Sequence, residues 1–504
     1  MSDRRLVVYA PLRAEVAALP PSLRRRARVI RTGMGPERAR IAAARGLAVD
    51  DARGVAVVGV CASTRDGLDP GDVLVASELR RPDGTTIELA GSRLLAGALR
   101  SAGLRAEVGP LASAERLAGP SERRYLGETG AAGVDMESAW LADGADGRPL
   151  AVVRAVVEPP GRELVDPRTL LSGARALRSL RRAASVLERW GDALRPRRVV
   201  LAAPRSFCAG VERAIEIVEL ALEQRGAPVY VRKQIVHNEH VVASLESRGA
   251  VFVEEVDEIP AGATAVFSAH GVSPAVRVAA RERGLDVIDA TCPLVSKVHA
   301  EARRFAADGN TILLIGHDGH EEIEGTAGEA PDSVVLVGDV RDAERVSVPD
   351  PARVTYLTQT TLAVDETAEI LDVLRERFPA LRGPRSDDIC YATTNRQHAV
   401  REVARRSDVV LVVGSRTSSN SLRLVEVSER EGATAHLVDD EHDVDLDWIA
   451  DAGTIGISAG ASAPDTLVHE LVAAIGSLGE IEVAEATTAS ESVSFRLPPE
   501  VRTR

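Results

Sequence analysis

Cysteine is scarce in this chain, and its placement is informative. Of four cysteines in 504 residues, three stand where an apolar, strand-like run gives way to a helix-like one: Cys208 in PRSFCAGV, Cys292 in DATCPLV and Cys390 in DDICYATTNRQ. Thiolate is the ligand that cluster iron prefers, and a helix N-terminus lowers a thiol's pKa and offsets cluster charge. Three thiolates on a four-iron cube leave one iron open, as substrate chemistry at a metal requires. No two cysteines form a CxxC pair, which disfavours a zinc knuckle or a thioredoxin-type couple. Spacing alone is served equally well by three buried core thiols, since free cysteine is a common core residue. Cys61 ends an apolar strand and reads as such a thiol.

The histidines and hydroxyls narrow the chemistry. All ten histidines fall at or after His237, and three of them, His237, His270 and His320, lie in loops that follow strand-like runs. The stretches GSRTSSNS and SAGASAPD place Ser418, Ser419, Asn420 and Ser462 in similar loops. Neutral donors with helix N-terminal N–H groups make an anion pocket. Such local groups are needed, because the formal charge of −13 repels an anionic substrate. Neither G-x-x-x-x-G-K-[ST] nor G-x-G-x-x-G is present, so nucleotide-phosphate motifs are not supported. Taken singly, Glu322 reads as a solvated helix-start residue beside Glu321 and Glu324, and Thr360 as a strand-end turn residue.

Taken together, PRSFCAGVERAI, FSAHGVS, DATCPLVSKVH, GHDGHEEIEGT, LTQTTLAVDET, DDICYATTNRQ, GSRTSSNSLRL and SAGASAPD resemble the 4-hydroxy-3-methylbut-2-enyl diphosphate reductases, in collinear order over about residues 198–480. That family performs the last step of the non-mevalonate isoprenoid pathway. The resemblance implies three α/β lobes in pseudo-threefold arrangement around a central 4Fe–4S cluster held by Cys208, Cys292 and Cys390. It implies that the substrate hydroxyl binds the open iron and that Glu322 delivers protons. Thr360 and His320 hold the hydroxyl and relay. His237, His270, Ser418, Ser419, Asn420 and Ser462 bind the diphosphate. A ferredoxin- or flavodoxin-type donor supplies two electrons, and the products are isopentenyl and dimethylallyl diphosphates.

The elements that must position these residues alternate strand and helix throughout, so the class is α/β. Residues 1–194 form a first block, with strands expected at 5–10, 28–32, 54–61, 72–77 and 150–157 and a closing helix over about 167–194. The linker is expected at 195–198, a second domain at 199–484, and a polar, peripheral or disordered tail at 485–504. In the second block apolar strands run into short glycine- and hydroxyl-rich loops, which in a parallel sheet lie at the carboxyl ends where ligands bind. The charge and the 3 % aromatic content argue against a nucleic-acid partner. No stretch reads as a signal peptide or spanning helix, so no membrane partner is expected and the expected compartment is the cytoplasm, where thiols stay reduced.

The first block carries its own signals. RTGMGPERA is a glycine turn opening a helix, and GVDMESAWLA puts Asp135, Met136 and Glu137 at a helix start. These stretches resemble the nucleoside phosphorylase and nucleosidase superfamily, in its hopanoid-associated branch. The resemblance implies that the glycine turn, Met136 and Glu137 help bind phosphate and ribose, with Glu137 accepting from the ribose hydroxyls. Where the superfamily places an aspartate near the base, this chain has Glu158 followed by Pro159 and Pro160. Two roles stay open for the block: nucleoside cleavage, or an inactive accessory domain. A rival reading of the whole chain makes nucleoside cleavage the main activity and the second block a degenerate scaffold.

Overall fold

The computed structural model describes residues 6–46, 52–160 and 169–502. The chain divides into two compact units, one of Met1–Val199, Val438–Ile455 and His469–Ala484, the other of Val200–Leu437, Gly456–Val468 and Glu485–Arg504. The first unit therefore takes two segments from the sequence assigned above to the second domain.

The first unit is built on β1 (Leu6–Ala10), β2 (Ala27–Arg31), β3 (Gly54–Ser63), β4 (Val73–Arg80), β5 (Thr86–Glu88), β6 (Ala106–Ser113), β7 (Gly133–Asp135) and β8 (Leu150–Glu158). The order is β2-β1-β3-β7-β6-β4-β5, and β8 pairs with both β3 and β4. Strands β3, β7, β6, β4 and β8 thus close a ring of pairings. GVAVVGVCAS in β3 is apolar on both faces because both are covered, which burial of most of its residues bears out. Gly59 interrupts that run for a reason: a Cβ there would meet Arg154 Nη1 at 2.2 Å and Glu15 Oε1 at 2.7 Å. The closing helix, Thr169–Asp192, buries Ala176, Leu180, Ala183, Ala184, Leu187 and Trp190 at helical spacing. Residues 167 and 168, and residue 5 of the first expected strand, lie outside the described residues.

The linker is shorter than the expected 195–198. Strand β9 (Arg197–Ala203) already begins at Arg197, which is buried and donates to Ala193 O at 2.6 Å and Ile449 O at 2.9 Å. Two further parallel sheets follow. One, in the order β11-β10-β12-β13, contains β10 (Val229–Arg232), β11 (Ala250–Val253), β12 (Thr264–Phe267) and β13 (Asp286–Asp289). The next, in the order β15-β14-β16, contains β14 (Thr311–Ile315), β15 (Val334–Val337) and β16 (Val354–Thr358). The last five strands are β17 (Val409–Val413), β18 (Thr434–Val438), β19 (Thr454–Ala459), β20 (Ile481–Thr487) and β9, in the order β18-β17-β19-β9-β20. Three α/β lobes are thus present, and one cysteine belongs to each.

The tail is a correction. Residues 488–502 are ordered against the second unit: Thr488 N–H bonds Ala203 O at 2.9 Å, and Leu497 and Val501 pack into the core that contains Val211, Val229 and Val266. The alternation of Val493, Phe495 and Leu497 is the apolar signal that the polar composition obscured. Among the described residues no helix is long and apolar enough to cross a membrane.

Candidate active site

Each of the three cysteines is the residue that caps a helix. Cys208 precedes Ala209–Arg225, Cys292 precedes Pro293–Ala307, and Cys390 precedes Tyr391–Ala404. Their backbone N–H groups are anchored on other loops: Cys208 to Ala461 O at 3.3 Å, Cys292 to Ala269 O at 2.9 Å, Cys390 to Thr360 O at 3.0 Å. Two of the sulfurs lie beside Gly210, where a Cβ would stand 2.8 Å from Cys292 Sγ and 3.8 Å from Cys208 Sγ, and all three cysteines line one cavity. Thr393 N–H donates to Cys390 Sγ at 3.3 Å. Burial, reinforced by the neighbouring sulfurs, pushes the Cys292 thiol up to about 12 and the Cys390 thiol to about 11. Ionised together in a dry pocket they need a cation, and three helix N-termini supply only partial charges. A metal cluster would fit this set: Cys208, Cys292 and Cys390 would hold it as thiolates, and the missing Cβ at Gly210 leaves room beside two of the sulfurs.

On one wall of the same cavity lies Glu322, whose side chain is 2 % exposed. Thr360 N–H donates to its Oε1 at 2.7 Å, and Thr360 Oγ1 lies 3.0 Å from its Oε2. Burial outweighs those two bonds and raises the carboxyl to about 7. Near neutral pH a substantial fraction of Glu322 therefore carries its proton, and both Glu322 and Thr360 line the cavity. Glu324 is exposed, which settles what the acidic run left open.

Three histidines line the same cavity. His237 and His270 stack with ring centroids 4.2 Å apart, and His320 stands edge-on to both at 5.6 and 5.8 Å. His320 Nδ1 accepts from Glu322 N–H at 3.1 Å, so its proton in the neutral ring sits on Nε2. Burial holds His237 down to about 3 and His320 to about 4. Sequence reasoning passed over Glu321, which lies 3.5 Å from His270 Nδ1 and accepts from Ser268 Oγ at 3.1 Å. Burial alone would raise Glu321, but the neighbouring His270 holds it down to about 2. Only its position at the start of helix Glu321–Gly328 distinguished it from its acidic neighbours.

The hydroxyl loops complete the cavity. Ser418 caps helix Ser419–Arg430, and Ser462 Oγ donates to His237 O at 3.0 Å, 3.4 Å from Ser418 Oγ. Asn420 Oδ1 accepts from Ala461 N–H at 2.9 Å. Ser419 Oγ and His237 Nε2 are buried with no hydrogen-bond partner, which suits a wall built for an absent polar guest. One cavity is thus lined by all twelve residues singled out for the second block: Cys208, His237, His270, Cys292, His320, Glu322, Thr360, Cys390, Ser418, Ser419, Asn420 and Ser462.

A family model described as LytB protein matches residues 199–476. The chain belongs to the LytB family. It is 59 % identical over 307 residues to a 4-hydroxy-3-methylbut-2-enyl diphosphate reductase of Leifsonia xyli subsp. xyli, covering 61 % of this chain and 91 % of that protein. A Mycobacterium bovis relative, 4-hydroxy-3-methylbut-2-enyl diphosphate reductase 2, is 58 % identical over 308 residues, 60 % of this chain and 94 % of that one. Among solved structures, the E-1-hydroxy-2-methyl-but-2-enyl-4-diphosphate reductase of Plasmodium falciparum matches with a TM-score of 0.59 and 36 % identity, over 61 % of this chain and 97 % of that one. This LytB chain carries an additional region: a model described as Phosphorylase superfamily matches residues 22–189.

That region has its own cavity, lined by Glu15, Met34, Cys61, Asp135, Met136, Glu137, Glu158 and others. Glu137 Oε1 accepts from Gly35 N–H at 2.9 Å, so the glycine turn and the Met-Glu pair do meet. Glu15, which the sequence reading missed inside a short polar helix, accepts from Leu12 N–H at 2.6 Å and Val60 N–H at 2.9 Å. Behind them Arg154 is fully buried, 2.5 Å from Asp135 and 3.8 Å from Glu137. Glu158 is paired with buried Arg123 at 2.7 Å. Burial raises Glu137 to about 7 against the pull of Arg154.

Proposed function

We propose that the LytB region reduces 4-hydroxy-3-methylbut-2-enyl diphosphate to isopentenyl and dimethylallyl diphosphates, with a 4Fe–4S cluster on Cys208, Cys292 and Cys390. The observation that carries this reading is the single cavity that gathers three helix-capping thiols, a buried Glu322 whose carboxyl is raised to about 7, and the histidines and serines. The overall change consumes two electrons and two protons and releases water. When bound, the cluster supplies electrons and a Lewis-acidic iron. The chain's own residues do the rest. The Ser418–Asn420 helix start, Ser462 and the histidines take the diphosphate. That fixes the allylic hydroxyl toward the sulfurs, where Thr360 orients it and Glu322 gives up a proton. The electrons come from a ferredoxin- or flavodoxin-type donor, and a reducing cytoplasm suits the four free thiols. The test is anaerobic purification, assay of iron and sulfide, and then substrate with reduced donor. Absence of a cluster, or a cluster that forms no isoprenoid diphosphate, would sink the proposal.

A pH prediction arises here. The free His237 and His320 are neutral at pH 7, because burial depresses both. An anion set among them raises their pKa. Inorganic diphosphate is therefore expected to take up protons on binding, up to about one per ring, and to bind more weakly as pH rises. Calorimetry in buffers of differing ionisation enthalpy reads this directly; the same heat in every buffer would refute it.

For the Phosphorylase-superfamily region, the carboxylate-lined cavity favours a binding function over an inert one. We propose that it takes an uncharged nucleoside-like ligand whose ribose hydroxyls bond Glu137, with Met136 beside it and Glu158 toward the base. Release of base from 5′-substituted adenosines, with and without phosphate, is the assay. Glu137→Ala is expected to lower that release about 100-fold while leaving isoprenoid formation untouched. No release by the wild-type chain would leave the region as an accessory domain.

A further inference from the structure

Three basic side chains follow the three cysteines at nearly the same interval. Arg213 lies five residues after Cys208, Lys297 five after Cys292, and Arg396 six after Cys390. Each grips the loop that leads into the next cysteine. Arg213 Nη1 donates to Ala290 O and Thr291 O, both at 3.1 Å, just before Cys292. Lys297 Nζ donates to Ser386 O at 2.7 Å, Asp387 O at 2.8 Å and Asp388 Oδ1 at 3.1 Å, just before Cys390. Arg396 donates to Ser206 O at 2.7 Å and Phe207 O at 3.0 Å, just before Cys208. The circuit closes: each helix holds the next cysteine's loop, and the third holds the first.

We propose that Arg213, Lys297 and Arg396 are positioning residues, a closed ring of clamps that sets the three cysteine sulfurs at the separation a shared ligand needs. This deepens the functional reading above and rests on its assignment of the cysteines as ligands.

The surroundings show that the ring is built rather than incidental. Arg396 is fully buried, and a guanidinium cannot shed its charge, so it must be paired. Its partner is Glu491, whose Oε1 lies 3.0 Å from Nη1 and also accepts from Asn395 Nδ2 at 3.0 Å. Ser206, whose carbonyl takes two bonds from Arg396, sits at φ +60, a conformation that a non-glycine residue keeps only under restraint. Arg213 Nε donates to Arg496 O at 2.9 Å. The segment that supplies Glu491 and Arg496 lies beyond the matched residues 199–476 and brings Phe495 to the cavity wall. The tail thus backs two of the three clamps. Carbonyl oxygens held by fixed cations stop the loops from drifting apart when the thiols are empty, so the site is formed before its ligand arrives.

Lys297 is the clamp to test, because it is the least buried and its loss leaves Asp388 bonded to Thr358 N–H at 3.1 Å. The experiment uses the full-length chain in two forms. With the reconstituted cluster, Lys297→Met is expected to speed loss of iron to a chelator at least about tenfold and broaden the reduced-cluster EPR signal, while Lys297→Arg retains wild-type values. With the metal-free, reduced chain, arsenite, which takes three thiolates, is expected to bind the Met variant about tenfold more weakly, with the thermal unfolding midpoint unchanged and Arg again restoring it. Equal arsenite affinity in wild type and Lys297→Met overturns the ring. A wild-type chain that binds arsenite through all three thiols but never holds a cluster overturns the reductase reading instead, leaving the ring to the arsenite comparison.

Discussion

Replacing Glu322 by Gln should leave the cluster in place and lower turnover at least about 100-fold, the usual worth of a positioned general acid. The amide is the same size and still accepts from Thr360 N–H, so the fold has little reason to change. What disappears is a proton to give. In the wild-type chain that proton is kept by burial, which raises the carboxyl from the usual 4.5 to about 7. The sign for catalysis follows. Below about pH 7 the acid form dominates and the donor is loaded. Above it the carboxylate forms and kcat falls. The Gln variant should therefore be slow at every pH and lose the alkaline limb that belongs to Glu322. Steady-state rates with a reduced donor, together with iron content and the visible spectrum, check both parts. Wild-type turnover in the variant would remove Glu322 from the mechanism. An alkaline limb unchanged by the substitution would assign that limb to another group.

The chemistry of the second block was legible because rare residue types gather in loops after strands. Cysteine, histidine and hydroxyl residues there are few, and the loops at the strand ends bring them to one cavity. What could not be read locally is just as physical. Glu321, Glu322 and Glu324 look alike in a sequence, and only burial against Thr360 separates the second from the others. Arg213, Lys297 and Arg396 resemble ordinary cations on helix surfaces, since their partners are mostly main-chain carbonyls far away in the sequence. Arg197 falls in the stretch expected as a linker between helix and strand, whereas its guanidinium caps buried carbonyls. The tail was judged by its polar content, although Phe495, Leu497 and Val501 are what dock it. Strands β5, β6 and β7 were passed over: two are only three residues long, and β6 carries Glu107, Gly109 and Pro110. The grouping of 438–455 and 469–484 with the first unit depends on long-range packing, to which a local pattern is blind.

Gly210→Ala isolates the geometry of the thiols from the stability of the fold. On helix propensity alone the change is favourable, because alanine in a helix is better than glycine by about 1 kcal/mol. Gly210 is the second residue of the helix that Cys208 caps, and its φ lies outside the range reserved for glycine. The metal-free variant should then unfold at or slightly above the wild-type midpoint. The added Cβ, however, would stand 2.8 Å from Cys292 Sγ and 3.8 Å from Cys208 Sγ. A free thiol escapes such a contact by turning about χ1 to another staggered position. A thiolate shared with two others on one cluster has no such freedom, since turning it breaks the shared geometry. The cost therefore falls on the loaded form alone, and cluster incorporation should drop to a small fraction of wild type. Iron and sulfide per chain after reconstitution, set beside the melting curve of the metal-free protein, separate the two effects. A fully loaded, fully active Gly210→Ala would mean that the Cys292 and Cys208 sulfurs do not lie beside Gly210 in the working enzyme. Loss of folding in the metal-free form would mean that the helix start, and not the sulfur separation, is what glycine serves.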